Sequence, residues 1–400
     1  MRALNRKFKV AVYTPFFFPV VGGTENATRN IAKELRKSCD VEIYTFDWTT
    51  TSDEDRNYGL SVTQGLLKTE KIDGVWVHRY PIANLPIVKN FSVELIKDLG
   101  FSDIEIVHFQ GLHRLPSRWL LQQAVRKKIK VLTTHALQES IDIIRRSKYR
   151  FLIKRFFVDS LRNMDHIVAL SPSDSQSLIN LGVLRDKISV IPNGIDPKKF
   201  SKRRHFVEKN NKLKILCVAR FDRNKKYESL ISVLSRLASQ GLDVEAYFVG
   251  AVSDKEYFKK ILELVKANGL EKTIRFGTSI DDPALIDCYL SCDVFVLPSS
   301  METFPLAIIE AMYAGLPIIA SKVGGIPDIV RNGVNGFLVD PNDINELYEK
   351  CLQLLKDDMF RDSMREANLK AARSYTWDKI AASTYNLYEL LMEKRDTASF

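Results

Sequence analysis

Ile188-Ser189-Val190-Ile191-Pro192-Asn193-Gly194-Ile195-Asp196-Pro197 is where the chain changes character. A β-branched run ends in a Pro-Asn-Gly and Asp-Pro turn cluster, and a lysine- and arginine-rich stretch to Lys214 follows, as in an interdomain linker. Upstream, Lys9 to Tyr13, Val41 to Phe46, Val75 to Tyr80, Ile104 to Phe109, Val131 to Thr134, Ile167 to Leu170 and Ile188 to Ile191 read as strands separated by amphipathic segments. Downstream the alternation restarts, with strands at Leu213 to Ala219, Val244 to Val249, Thr273 to Phe276, Val294 to Leu297, Pro317 to Ala320 and Gly336 to Val339. Such alternation marks parallel sheets with crossover helices. The fold class is therefore α/β, with two Rossmann-like doubly wound domains at 1–195 and 196–376 and a ligand cleft at the carboxyl ends of their sheets. The segment from Trp377 carries Ile380, Leu387 and Leu391 at helical spacing, so 377–400 predicts a helix that covers an apolar surface.

The bulk composition agrees. A chain of 400 residues exceeds what one core usually organises, and 45% hydrophobic with 27% charged residues suffices for two ordinary cores. Cys39, Cys217, Cys288, Cys292 and Cys351 are odd in number and scattered, which fits neither a disulfide framework nor a zinc site and points to a reducing, cytoplasmic compartment. Arg2, Arg6 and Lys7 before the apolar stretch Phe8 to Val21 imitate a signal peptide, but Pro15 and Pro19 interrupt it and Gly22-Gly23 follows, so it reads as a first strand and its loop. Apolar runs are too short to span a bilayer, which leaves a soluble or membrane-peripheral protein. A net charge of +10 calls for phosphates, nucleic acid or an anionic membrane as company.

Four places carry candidate chemistry. Gly22-Gly23, between the first strand and a helical pattern, suits the close approach of an anion to a helix N-terminus, or merely a tight turn. Arg220 at a strand end, with Lys225 and Lys226 in the loop beyond it, offers a fork of donors and point charges to a diphosphate, or a solvated basic turn. Glu302-Thr303-Phe304-Pro305-Leu306-Ala307-Ile308-Ile309-Glu310 follows a strand and begins a helix whose first turn tolerates Pro305. Two glutamates eight residues apart on one helix lie about 12 Å apart along its axis. That exceeds the ~5–9.5 Å of a hydrolytic carboxylate pair and suits the two ends of an extended ligand. His108 and His135 both stand at predicted strand ends, with a core histidine as the alternative for each. Asp53-Glu54-Asp55 has the form of a D-x-D metal motif but sits in a threonine-rich loop and reads as solvated.

The segment from Glu302 to Glu310 resembles the E-x7-E motif of retaining glycosyltransferases of family GT4, which adopt the GT-B fold. The resemblance extends over Pro19 to Glu25, Val190 to Phe200, Val218 to Leu230, Phe276 to Ser299 and Gly315 to Val330 with its Gly324-Gly325 turn. It implies a donor diphosphate held by Arg220 and Lys225, sugar hydroxyls at Glu302, ribose hydroxyls at Glu310, and His135 near the reacting carbon. It further implies donor contacts at Gly22, Gly23, Thr303, Phe304 and Leu306, and a C-terminal helix crossing back onto the first domain. Lys226 and Pro305 stand where the family commonly has glycine, so Lys226 is a second candidate for the phosphate and the donors around Pro305 must be its neighbours.

Retaining front-face transfer needs no metal and no cofactor beyond the nucleotide-sugar substrate, and its acceptor is a glycan, a lipid-linked glycan or a small molecule. Alternatives are a nucleotide-sugar 2-epimerase, an inactive nucleotide-sugar binder and a nucleic-acid binder; RNA-reading stacking motifs are missing, so nucleic acid is not an expected partner. The stretch 145–157 interleaves Arg145, Arg146, Lys148, Arg150, Lys154 and Arg155 with aromatic and aliphatic residues and contains no acid. It suits a peripheral helix on an anionic membrane, or a basic surface helix whose apolar face packs on its own sheet.

Overall fold

The computed structural model describes residues 7–19, 22–47, 66–82, 92–111, 115–135, 137–200, 212–278 and 280–398. The chain forms two compact units, one reaching Asn193 and resuming at Trp377, the other spanning Gly194–Thr376.

The sheet of the first unit contains β1 (Lys9–Tyr13), β2 (Asp40–Phe46), β3 (Thr69–Ile72), β4 (Val75–Tyr80), β5 (Ile106–Gln110), β6 (Ile129–Thr133), β7 (His166–Ala169) and β8 (Ile188–Val190). Their order is β3-β4-β2-β1-β5-β6-β7-β8. Apart from β3 every strand pairs in parallel, and the strand order reverses direction between β1 and β5. β3 is absent from the expected strands. Its sequence Thr-Glu-Lys-Ile lacks an apolar run because it is a half-exposed edge strand. The signal for it was the turn: Asp73 and Gly74 both take positive φ, 49° and 82°, as a two-residue Asp-Gly hairpin requires.

The helix Trp377–Ala398 belongs to this unit and buries Trp377, Ile380, Ala381, Leu387, Tyr388, Leu391 and Met392 with Ala27, Ile31 and Leu35 of the helix Gly23–Leu35. With the buried Thr384 between Ala381 and Leu387, these positions recur every three to four residues and make one buried, largely apolar stripe. The stripe is pinned by His108, whose ring nitrogens lie 2.5 Å from the Tyr388 hydroxyl and 2.7 Å from Thr133 Oγ1. Complete burial pushes the His108 imidazole down to about 3, so it remains neutral. Of its two sequence readings, the structural one applies.

In the second unit, β9 (Leu213–Val218), β10 (Val244–Val249), β11 (Ile274–Gly277), β12 (Val294–Leu297), β13 (Ile318–Ser321) and β14 (Gly336–Val339) lie in the order β11-β10-β9-β12-β13-β14, all parallel. This is the doubly wound order with its reversal between β9 and β12, where loops leaving in opposite directions open a crevice. Phe221, just beyond β9, is fully buried, stacked on Tyr227 at 4.7 Å and packed on Phe258 and Phe276. That aromatic anchor fixes the loop carrying the basic residues on either side of it.

Candidate functional site

In the second unit, the loops after β9 and β12 meet at the reversal of strand order. Asp222 shapes the first loop by accepting from the Asn224 amide at 3.0 Å through its side chain, and from the Lys225 amide at 3.0 Å through its carbonyl. The second loop is tied to the first where the Ser300 amide donates to the Asn224 carbonyl at 2.7 Å. Between them, Lys225 Nζ donates to Glu302 Oε1 at 2.8 Å, and Ser299 Oγ donates to the same oxygen at 2.8 Å. The Lys225 and Glu302 side chains are 12% and 11% exposed. Burial acts to lower the Lys225 ammonium, but the Glu302 charge and hydrogen bond outweigh it and hold it above the ordinary lysine value. Arg220 is half exposed beside this pair in sequence, its Nε 3.8 Å from Asp222 Oδ2.

Lys226 points elsewhere: its ammonium donates to the Pro341 carbonyl at 2.9 Å and to Asn342 Oδ1 at 2.8 Å. Its φ of 49° and ψ of 45° are left-handed, which is the physical reason a glycine would be at ease there. Lys225 rather than Lys226 is the lysine that meets Glu302.

The helix expected to begin within Glu302 to Pro305 runs from Leu306 to Tyr313, with Pro305 as its N-cap. Glu302 therefore lies in the preceding loop, so the axial separation of two glutamates on one helix does not apply. The reason is that an extended Pro305 (ψ 108°) ends the loop rather than opening the first turn. Thr303 is half-buried, Phe304 is buried with its ring 6.0 Å from that of Tyr375, and Leu306 is the first helical residue. Glu310 accepts from the buried Tyr289 hydroxyl at 2.7 Å. Burial raises the Glu310 carboxyl above its ordinary value of 4.5, opposed by the Tyr289 hydrogen bond and the Lys199 charge.

Two glycines hold these loops close. At Gly324, with φ +52°, an added Cβ would lie 1.6 Å from the Glu302 carbonyl oxygen. At Gly250, after β10, it would lie 1.9 Å from the Ala219 carbonyl oxygen, next to Arg220. The Gly324-Gly325 turn was legible in the sequence; Gly250, Ser299 and Tyr289 were not. Ser299 could have been suspected from its place just past a strand end, whereas Tyr289 lies inside the helix Asp282–Ser291 and carries no local signal.

In the first unit, Gly22 caps the helix Gly23–Leu35 in an extended conformation, φ −159° and ψ 179°, so neither glycine is there to make a left-handed turn. His135 is buried beyond β6, with Nε2 3.0 Å from Gln110 Oε1 at the end of β5. Both line a cavity of about 20 Å³ with Thr133, Asn193 and Thr384. Asp53, Glu54 and Asp55 lie outside the described residues.

The family model Glycosyl transferases group 1 matches residues 198–371, and Glycosyltransferase Family 4 matches 21–199. An uncharacterized glycosyltransferase of Methanocaldococcus jannaschii is 30% identical over 219 residues, 52% of this chain and 55% of its own, so the chain matches about half the length of that relative. A second from the same organism is 24% identical over 94% of this chain and 97% of its own. Among solved structures, HepE of Anabaena in complex with UDP superposes with a TM-score of 0.74 at 21% identity, covering 96% of this chain and 100% of HepE.

Proposed function

We propose, for a chain that belongs to the glycosyl transferases of group 1 and family 4, that it moves a sugar from a nucleoside-diphosphate sugar to a glycan, lipid-linked or small-molecule acceptor with retention of configuration. The observation that carries this reading is the Lys225–Glu302 ion pair, placed beside Arg220 where the strand order of the second unit reverses. In this reading Arg220 and Lys225 neutralise the donor diphosphate as the glycosidic bond breaks, which removes the need for a divalent ion. Glu302 accepts sugar hydroxyls, Glu310 accepts ribose hydroxyls, and the amides of Thr303, Phe304 and Leu306 supply neutral donors. His135 and the amides near Gly22 and Gly23 are further candidates for contact with the donor. The leaving diphosphate takes the acceptor's proton, so catalysis rests on positioning and charge stabilisation. The reaction is cytoplasmic and uses no cofactor besides its substrate. Because HepE was solved with UDP, UDP-sugars are the donors to try first.

The test is the anomeric configuration of the product, read by NMR, with and without EDTA. Retention with undiminished rate in EDTA is the expected result. An inverted product overturns the front-face assignment, and abolition by EDTA overturns metal independence.

A pH experiment addresses Glu310. Because burial raises its folded-state pKa, the folded protein keeps this proton to higher pH than the unfolded chain does. The stability it contributes is complete below the ordinary value of 4.5 and is lost as pH rises through the raised one. Ribose hydroxyls bind best to the ionised form, so affinity for nucleoside diphosphate rises through the same pH range. Tyr289→Phe removes a hydrogen bond to the charged form, and the acid limb of UDP affinity by calorimetry moves to higher pH. An unmoved limb removes Glu310 from the nucleotide site.

A further inference from the structure

The basic stretch of the first unit folds as two helices, Leu137–Arg146 and Arg150–Arg162, joined at an elbow by Ser147, Lys148 and Tyr149. Its apolar residues divide into two sets. Ile144, Phe157 and Leu161 are buried in the unit's core, with Ile153 packed against it, so the inward face is already complete. Phe151 at 78% exposure and Leu152 at 58% stand on the opposite side of the helix, flanked by exposed Tyr149 and Phe156. Packing of an amphipathic helix on its own sheet accounts for the first set and leaves the second unexplained.

The charges divide in the same way. Arg145 and Arg146 share Asp142, at 3.7 and 3.2 Å, and Arg155 faces Asp159 at 3.9 Å. Lys148, Arg150 and Lys154 have no carboxylate within ion-pair distance among the described residues. Arg150 lies over the Phe151 ring, 5.0 Å from its centroid. Unpaired long cations around protruding aromatic and aliphatic tips complement a surface that is anionic outside and apolar just beneath. No described helix is long and apolar enough to cross a membrane, so the match is to a surface and not a span.

We propose that this elbow docks on an anionic lipid surface, with Phe151, Leu152 and Phe156 entering the headgroup layer and Lys148, Arg150 and Lys154 meeting lipid phosphates. The assignment is independent of the sugar-transfer reading, since none of these residues belongs to the site in the second unit. With Arg145, Arg146 and Arg155 the stretch carries six cations, within the four to eight that such attachment uses, each contributing a comparable share.

Co-sedimentation of the full chain with phosphatidylcholine vesicles, with and without phosphatidylglycerol, tests it. The wild type is expected to bind the anionic vesicles, to release in high salt and to ignore pure phosphatidylcholine. Two exposed-surface variants, one with Lys148, Arg150 and Lys154 changed to Glu and one with Phe151 and Leu152 changed to Ser, are each expected to bind about tenfold more weakly or worse. Their circular dichroism and melting should match the wild type, because no substituted side chain is in the core. No wild-type binding at low salt, equal binding by the Ser variant, or tighter retention of the wild type on RNA than on the anionic vesicles would each overturn the proposal.

Discussion

Glu302→Ala lowers turnover by about 10²–10³-fold, the usual consequence of removing one transition-state contact, and it also destabilises the second unit. Removing the carboxylate leaves the Lys225 ammonium, 12% exposed, without its partner at 2.8 Å, and leaves the Ser299 hydroxyl without its acceptor. Breaking such a pair typically costs about 3 kcal/mol, and at roughly 2–4 °C per kcal/mol the melting transition falls by ~6–12 °C. Arg220→Ala lowers turnover similarly but leaves the transition within a degree or two, because its side chain is half exposed and its nearest carboxylate contact is 3.8 Å. The fold thus registers the loss of one group and not the other, a distinction their shared place at a loop end would not suggest. Glu302→Gln retains the volume and an acceptor for Ser299, so it separates charge from shape. Turnover and scanning calorimetry on the three variants check the argument. Near-normal turnover in Glu302→Ala would remove that residue from the site, and an unchanged melting transition would show the ion pair to be energetically idle.

Gly324→Ala is expected to abolish most activity without touching a charged group. The new Cβ would sit 1.6 Å from the Glu302 carbonyl oxygen, where real contacts stay beyond 3.0 Å, so the Glu302 loop must move by more than an ångström. A displacement of about 1 Å at a reacting centre can cost ~10²-fold in rate. The left-handed φ adds an ordinary cost of about 1 kcal/mol for any side chain. Gly333→Ala is the control: its φ is also positive, +77°, but its Cβ would meet nothing within 4 Å. It should lose only the conformational increment and keep its turnover. If the two variants lose activity equally, close approach to Glu302 is not what Gly324 provides.

The sequence by itself determined what is local: the alternation of apolar strands and amphipathic helices, the break at Pro192 to Pro197, and the apolar stripe of Ile380, Leu387 and Leu391. Those signals survive because strand and helix periodicities are written within a few residues of one another. Arg220, Lys225, Glu302 and Glu310 could be singled out for a related reason, as charged residues past strand ends or at a motif's fixed spacing, and their proposed roles came from the resemblance to a family. Only the tertiary structure decided which lysine meets Glu302, since Lys225 and Lys226 are adjacent and the left-handed backbone at Lys226 turns its ammonium toward Pro341 and Asn342. It alone supplied Ser299 under Glu302, Tyr289 under Glu310 and Gln110 against His135, because a hydrogen bond between loops or helices leaves no periodic trace. It alone divided Phe151 from Phe157, six residues apart in one helix. Burial of an apolar side chain depends on what packs opposite it, and that partner is chosen by the fold of the whole unit.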